Sequence, residues 1–213
     1  MANSTIATTI SLKETDKVVL LTLDPGLTNA GWVVSEYNLQ TKKLHVIAVG
    51  LIHGNNYAEL KAQEEAVSIY GKRMVSLAAI RSGFTSIYEE FKPDFVASEN
   101  AFFNRFRPAA FVALNDFIGT IRSVLYHRFD QPLYLISPKS IKRAVCIGDA
   151  KKQDIANSVR NHPNISFSMN NIPDVEHIWD AVGGAYAFTK LYLDKVIKNE
   201  SYDNVISSQK VKK

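Results

Sequence analysis

The feature that most constrains this chain is the run Lys17-Val-Val-Leu-Leu-Thr-Leu-Asp24, which ends in an acid and is broken at once by Pro25-Gly26. Its β-branched and apolar residues suit a buried central strand. Residues 31–35 and 44–50 continue as two more strands around the polar turn 38–43, and the three predict an antiparallel meander. From about residue 58 the period changes. Val67, Tyr70, Met74, Leu77, Phe84, Ile87 and Phe91 recur at helical spacing, predicting an amphipathic helix to residue 91 with Gly83 as its weak point. A short strand over 94–98 delivers Glu99 at its end. A second helix starts at Pro108, a suitable first-turn residue, and runs to about residue 128. A fifth strand over 133–136, helical pieces near 140–145 and 151–161, a polar loop over 161–173 and a helix over 175–197 complete the pattern. That order predicts an α/β domain: a mixed five-stranded sheet, three antiparallel strands and then parallel ones, flanked by helices.

Composition narrows the classes. At 213 residues with 46% hydrophobic and 22% charged residues, the chain suits one compact soluble domain. We expect a flexible N-terminal arm over 1–16, the domain over 17–198 and a basic disordered tail over 199–213. Cys146 is the only cysteine, so an internal disulfide and a thiolate zinc site are excluded and a reducing compartment is favoured. The first fifteen residues lack a secretory pattern, and no apolar stretch approaches the ~20 residues that span a bilayer. The expected location is cytoplasmic, with no membrane partner. The net charge of +4 permits a polyanionic partner without demanding one.

Three apolar elements each present an acid. Asp24 ends the first strand, Glu99 ends the fourth, and Asp180 lies on the last helix beside Ala181 and Gly183-Gly184. Acids at the ends of buried strands are poorly hydrated and repel one another, and Mg²⁺ or Mn²⁺ relieves both problems through carboxylate oxygens. His177 precedes Asp180 by three residues, so the two share a helix face. The small residues at 181, 183 and 184 let that helix approach the sheet. Each piece has an ordinary reading: Asp-Pro-Gly after a strand is a common turn, and a lone helical histidine is usually a surface residue. Their occurrence together, in the order strand, strand, helix, is what points to a metal-dependent site.

From about residue 18 to 190 the chain resembles the RuvC Holliday junction resolvases, which have an RNase H-like fold. Asp24-Pro-Gly-Leu-Thr-Asn-Ala-Gly-Trp32 is similar to the family's opening motif. Phe91-Lys-Pro-Asp-Phe-Val-Ala-Ser-Glu99-Asn-Ala-Phe102 resembles its second, and His177-Ile-Trp-Asp180-Ala its third. The resemblance implies a homodimeric endonuclease that cuts branched DNA, above all four-way junctions, leaving 5′-phosphate and 3′-hydroxyl ends. It implies that Asp24, Glu99, His177 and Asp180 hold two Mg²⁺ or Mn²⁺ ions. Asp174 and Glu176 stay open as alternatives to His177. The longer first helical segment and the terminal extensions mark a divergent member, of bacterial or phage origin.

After Glu99, aromatics interleave with arginines in Phe102-Phe-Asn-Arg-Phe-Arg107. Rings can stack on unpaired bases while Arg105 and Arg107 neutralise phosphate. Phe102 matches the family position that inserts at the branch point, whereas Phe103 and Phe106 are as well suited to filling the core. Lys139, Lys142, Arg143, Lys151 and Lys152 form the densest basic region, either a solvated face or a track for the DNA backbone. Lys142 and Lys152 resemble two family lysines of the latter kind. Two rival functions share the pattern. An actin- or Hsp70-like ATPase has a similar phosphate loop but needs duplicated lobes, and another RNase H-like nuclease would differ in substrate.

Overall fold

The computed structural model describes residues 16–54, 61–103, 105–145, 152–193 and 195. The expected tail, Cys146, Lys151, the side chain of Lys152 and all of the expected arm except Asp16 lie outside them. Six strands form one sheet: β1 (Lys17–Asp24), β2 (Asn29–Asn38), β3 (Lys43–His53), β4 (Phe95–Glu99), β5 (Leu133–Ile136) and β6 (Ile165–Phe167). Their spatial order is β5-β4-β1-β2-β3-β6. β2 pairs antiparallel with β1 and β3, while β4, β5 and β6 join through parallel pairs. The architecture is the expected mixed α/β one with a strand added at its edge.

That strand lies within the segment expected to be a polar loop. It is too short to show an alternation of its own, and tertiary contacts hold it. His45 on β3 bonds Ser166 Oγ through Nδ1 at 2.8 Å and Ser168 Oγ through Nε2 at 2.7 Å. Ile165 packs into the core as well.

Helices cover both faces. α1 (Lys61–Phe91) and α2 (Pro108–Val124, continued by a π-helical turn Leu125–Phe129) lie on one side. α3 (Pro138–Val145), α4 (Lys152–Arg160) and α5 (Glu176–Phe188, continued by a π-helical turn Thr189–Leu193) lie on the other. β1 feeds both cores: Val18 and Leu20 face α5, and Leu21 and Leu23 face α1 and α2. Burial on both faces is why its sequence is continuously apolar.

α1 departs from expectation. Its break falls at Gly71, where φ is +81° and ψ 154°, and not at Gly83. Gly83 instead makes room for packing, since a Cβ there would lie 2.7 Å from Ile52 Cγ2. The apolar stripe is buried only beyond Met74, three residues after the break. Leu77, Ile80, Phe84 and Ile87 are buried, while Tyr70 and Met74 stay exposed.

Candidate active site

Strand alternation carries two acids to one place. The two-residue period that sends Val18 and Leu20 towards α5 sends Asp24 there too. In β4, Phe95 and Ala97 face α5 and Val96 faces the opposite core, so Glu99 joins the α5 face. β1 and β4 run parallel with Leu23 opposite Ser98. Asp24 and Glu99 come one step later, neighbours at the carboxyl ends of adjacent strands.

α5 supplies the other two residues. Gly31 pairs with Asp24 across β1 and β2. A Cβ on Gly31 would stand 2.1 Å from the His177 carbonyl oxygen, so only glycine lets the helix start lie against the strand. His177 Nδ1 is thereby 2.5 Å from Asp24 Oδ2. Asp180 follows one turn along the same helix face. Farther down, Gly184 approaches Thr22 closely, as the small residues of α5 predicted: a Cβ there would lie 3.0 Å from Thr22 Cγ2.

Asp24 is 8% exposed, so its carboxylate has little water to stabilise it. The hydrogen bond to Asp24 holds the His177 imidazole above its ordinary range against a lowering by burial, and the charges of Asp24, Glu176 and Asp180 add to the rise. A histidine bonded to one carboxylate and surrounded by others reports a strongly negative site. Among the described residues, no three His, Cys, Asp or Glu side chains already stand as a finished ion-holding cluster. The donor set nonetheless fits hard divalent cations: a poorly hydrated carboxylate, two further acids on the same face and an imidazole.

Asp174 is committed elsewhere. Arg160 bonds its carboxylate, Trp179 Nε1 donates to the same oxygen at 3.1 Å, and the Arg160 guanidinium lies 4.3 Å over the Trp179 ring. This clamp ties the start of α5 to α4. Sequence reading missed it because it joins residues across two elements and no local pattern announces it. Gly31 was visible as part of the opening motif, but not its role in seating His177.

All three aromatics after Glu99 are exposed: Phe102 by 71%, Phe103 by 57% and Phe106 by 78%. Core filling by Phe103 and Phe106 is thereby corrected. Phe103 meets the Phe111 ring edge-on, with ring centres 5.4 Å apart. Arg105 and Arg107 are exposed. Lys139 and Arg143 are exposed and Lys142 half-buried on α3, which begins two residues beyond the carboxyl end of β5, the sheet end that carries Asp24 and Glu99. Among the described residues no helix is long and apolar enough to cross a membrane.

The sequence profile of the family described as crossover junction endodeoxyribonuclease RuvC matches residues 20–188, which include all four site residues. This chain belongs to the RuvC family. A RuvC from Natranaerobius thermophilus is 23% identical over 176 residues, covering 82% of this chain and 96% of that protein. T. thermophilus RuvC, solved in complex with a Holliday junction substrate, superposes with a TM-score of 0.61 at 21% identity, covering 80% of this chain and 92% of that one. The yeast mitochondrial Holliday junction resolvase gives 0.59 at 12% identity over 93% of this chain and 88% of that one. The fold is therefore that of the RuvC resolvases, and the chain is a member of an endonuclease family that acts on crossover junctions.

Proposed function

We propose that this RuvC-family protein resolves four-way DNA junctions by phosphodiester hydrolysis, with Asp24, Glu99, His177 and Asp180 holding two Mg²⁺ or Mn²⁺ ions. The observation that carries the reading is the arrival of Asp24 and Glu99 on one face of adjacent strand ends with His177 in contact with Asp24. When bound, the cations supply an activated water, charge relief at the phosphate and stabilisation of the leaving 3′ oxygen. Asp24, on the more central strand, would hold the cations together with Glu99 on the neighbouring strand and Asp180 on α5. The Nδ1 contact with Asp24 orients the imidazole, as a carboxylate partner does in many metal sites. The engagement of Asp174 with Arg160 and Trp179 favours His177 as the fourth ligand.

DNA would be held by Phe102 at the branch point and by Arg105, Arg107, Lys139, Lys142, Arg143, Lys151 and Lys152 along the backbone. Such contacts are independent of sequence and weaken with salt. Outward residues of α2 and of the π-helical turn that continues it, Val112 and Tyr126 among them, offer the face of a homodimer, whose two-fold symmetry suits a pair of matched cuts. The products carry 5′-phosphate and 3′-hydroxyl ends, and the activity belongs in the cytoplasm, where its DNA substrate is.

The test is cleavage of a synthetic four-way junction against linear duplex and an RNA–DNA hybrid, with Mg²⁺, Mn²⁺ or EDTA. Junction cutting should require the metal, and Asp24→Asn should bind junctions normally yet cut them at least a hundredfold more slowly, the order expected for losing a principal catalytic group. Full activity of Asp24→Asn would refute the assignment, and preferential cutting of the hybrid would refute the substrate.

A further inference from the structure

His177 and Asp180 lie within the first five residues of α5, a stretch that a helix holds poorly by itself. Val175, which precedes the helix, offers no side-chain bond to the free N–H groups of the first turn. The turn is held from outside. On one side the His177 carbonyl rests against Gly31. Successive helical residues turn by about 100°, so Trp179 stands roughly 200° around the axis from His177. There, on the far side, the Arg160–Asp174–Trp179 clamp closes.

Arg160 ends α4, and its guanidinium both bonds the Asp174 carboxylate and covers the Trp179 ring from 4.3 Å. Trp179 is 4% exposed, meets the Phe167 ring of β6 edge-on with centres 6.0 Å apart, and donates from Nε1 to Asp174 at 3.1 Å. Asp174 and Trp179 flank the helix start at the two positions where an apolar contact often fixes the angle at which a chain enters a helix. Here a hydrogen bond takes that place. The Asp174 side chain is 73% exposed, and an ion pair so open to water adds little to stability. What it can set is direction.

We propose that Arg160 is a positioning residue for the metal centre: through Asp174 and Trp179 it fixes the rotation of the first turn of α5, and with it the places of His177 and Asp180. The proposal rests on the metal-holding reading above. Seat and clamp grip the turn from opposite sides, so loss of either lets it swing. Cation ligands tolerate such a swing badly, since removing a partner behind them typically costs about 10- to 100-fold in metal affinity.

The test is calorimetric titration of the whole protein with Mn²⁺ alone, beside junction binding in EDTA. Arg160→Ala should weaken Mn²⁺ binding roughly 10- to 100-fold, and Asp174→Asn should do the same. The double variant should be no weaker than either single one, because both changes remove one device. Junction affinity in EDTA should stay that of the parent. In single-turnover cleavage the variants should need correspondingly more Mg²⁺ and recover as the ion is raised. Without metal, amide hydrogen exchange should quicken at residues 176–180 and stay as in the parent along β1 and β4.

Mn²⁺ affinity equal to the parent's in both variants would overturn the proposal and leave the clamp an ordinary surface contact. So would a drop in junction affinity as the only effect of Arg160→Ala, which would give the residue to the DNA backbone. Opposite effects would overturn it too: weaker binding in Asp174→Asn with tighter binding in Arg160→Ala would make Asp174 itself a ligand that Arg160 withholds. The metal reading fails separately. If the parent binds no Mn²⁺, or Asp24→Asn binds it as well as the parent does, the centre is misassigned and the proposal falls with it. If Asp24→Asn loses the ion and both clamp variants keep it, only the clamp is lost.

Discussion

Two histidines in this chain are pulled in opposite directions by their surroundings. His177 is raised by its carboxylate neighbours, whereas burial and then the nearby Lys190 ammonium hold His162 below the ordinary imidazole range. The local bonding of His162 agrees: the Asn164 N–H donates to Nδ1 at 3.1 Å, which requires that nitrogen to be unprotonated, and the ring packs 4.3 Å from that of Tyr186 on α5. A folded value below the unfolded one means that the folded state prefers the neutral ring. Its contribution is complete above the unfolded value near 6.5 and is lost as the pH falls through the lower folded value. Acidification from about pH 7 to pH 5 therefore pulls the melting temperature down through His162 and up through His177, and His162→Gln, which does not titrate, should remove the downward part so that the variant loses less on acidification than the parent. Superimposable profiles for the two proteins would exclude the coupling. At this scale the acids were legible because strand alternation is a local property of sequence. The partners of His162, like the grip of Arg160 and Trp179 on Asp174, were not, because they are side-chain meetings across elements.

Between elements, the decisive contact is the seating of α5 on β2. An alanine at position 31 would put a Cβ 2.1 Å from the His177 carbonyl oxygen and 2.9 Å from its Cβ, and backbone has nowhere to yield without moving the helix start. Gly31→Ala should cost about 1–3 kcal/mol of stability through overpacking. It should also reduce single-turnover junction cleavage severely, because displacement of α5 separates His177 from Asp24. Gly184→Ala is the control. Its Cβ would meet Thr22 Cγ2 at 3.0 Å, a milder collision with a side chain, and both losses should be smaller. Equal effects at the two positions, measured by melting and by cleavage, would show that the His177 seat is not special. The close approach of α5 was foreseeable from its small residues, but the matching glycine on β2 was not. Nor was the break at Gly71, because glycine in a helical pattern marks no position by itself, and only the backbone reveals which one turned.

For the molecule as a whole, charge placement matters more than the modest net value. The carboxyl ends of β1, β4 and β5 bring the acids and the start of α3 to one end of the sheet, where Lys139, Lys142 and Arg143 follow β5. If all three meet phosphates, replacing them with glutamine should reduce the slope of log affinity against log salt by about 0.9 for each contact, or roughly 2.7 together. An unchanged slope in junction-binding titrations would return these residues to the solvated face. Five of the six strands and the antiparallel meander of the first three were legible because each is an apolar run with a clear end. β6 was not, since its three residues are held by His45 and by the core, and not by any pattern of their own.

The Asp24–His177 contact joins positions 153 apart. A nascent polypeptide emerging from the ribosome thus presents its first acid long before it can present the imidazole that meets it, or Asp180 beyond. On the proposed assignment, synthesis itself acts as a safety catch: a half-made copy would hold only part of the cutting centre, and so would a proteolytic fragment that has lost its last helix. For a member of a family of crossover junction endonucleases, an all-or-nothing assembly of the blade is a useful restraint.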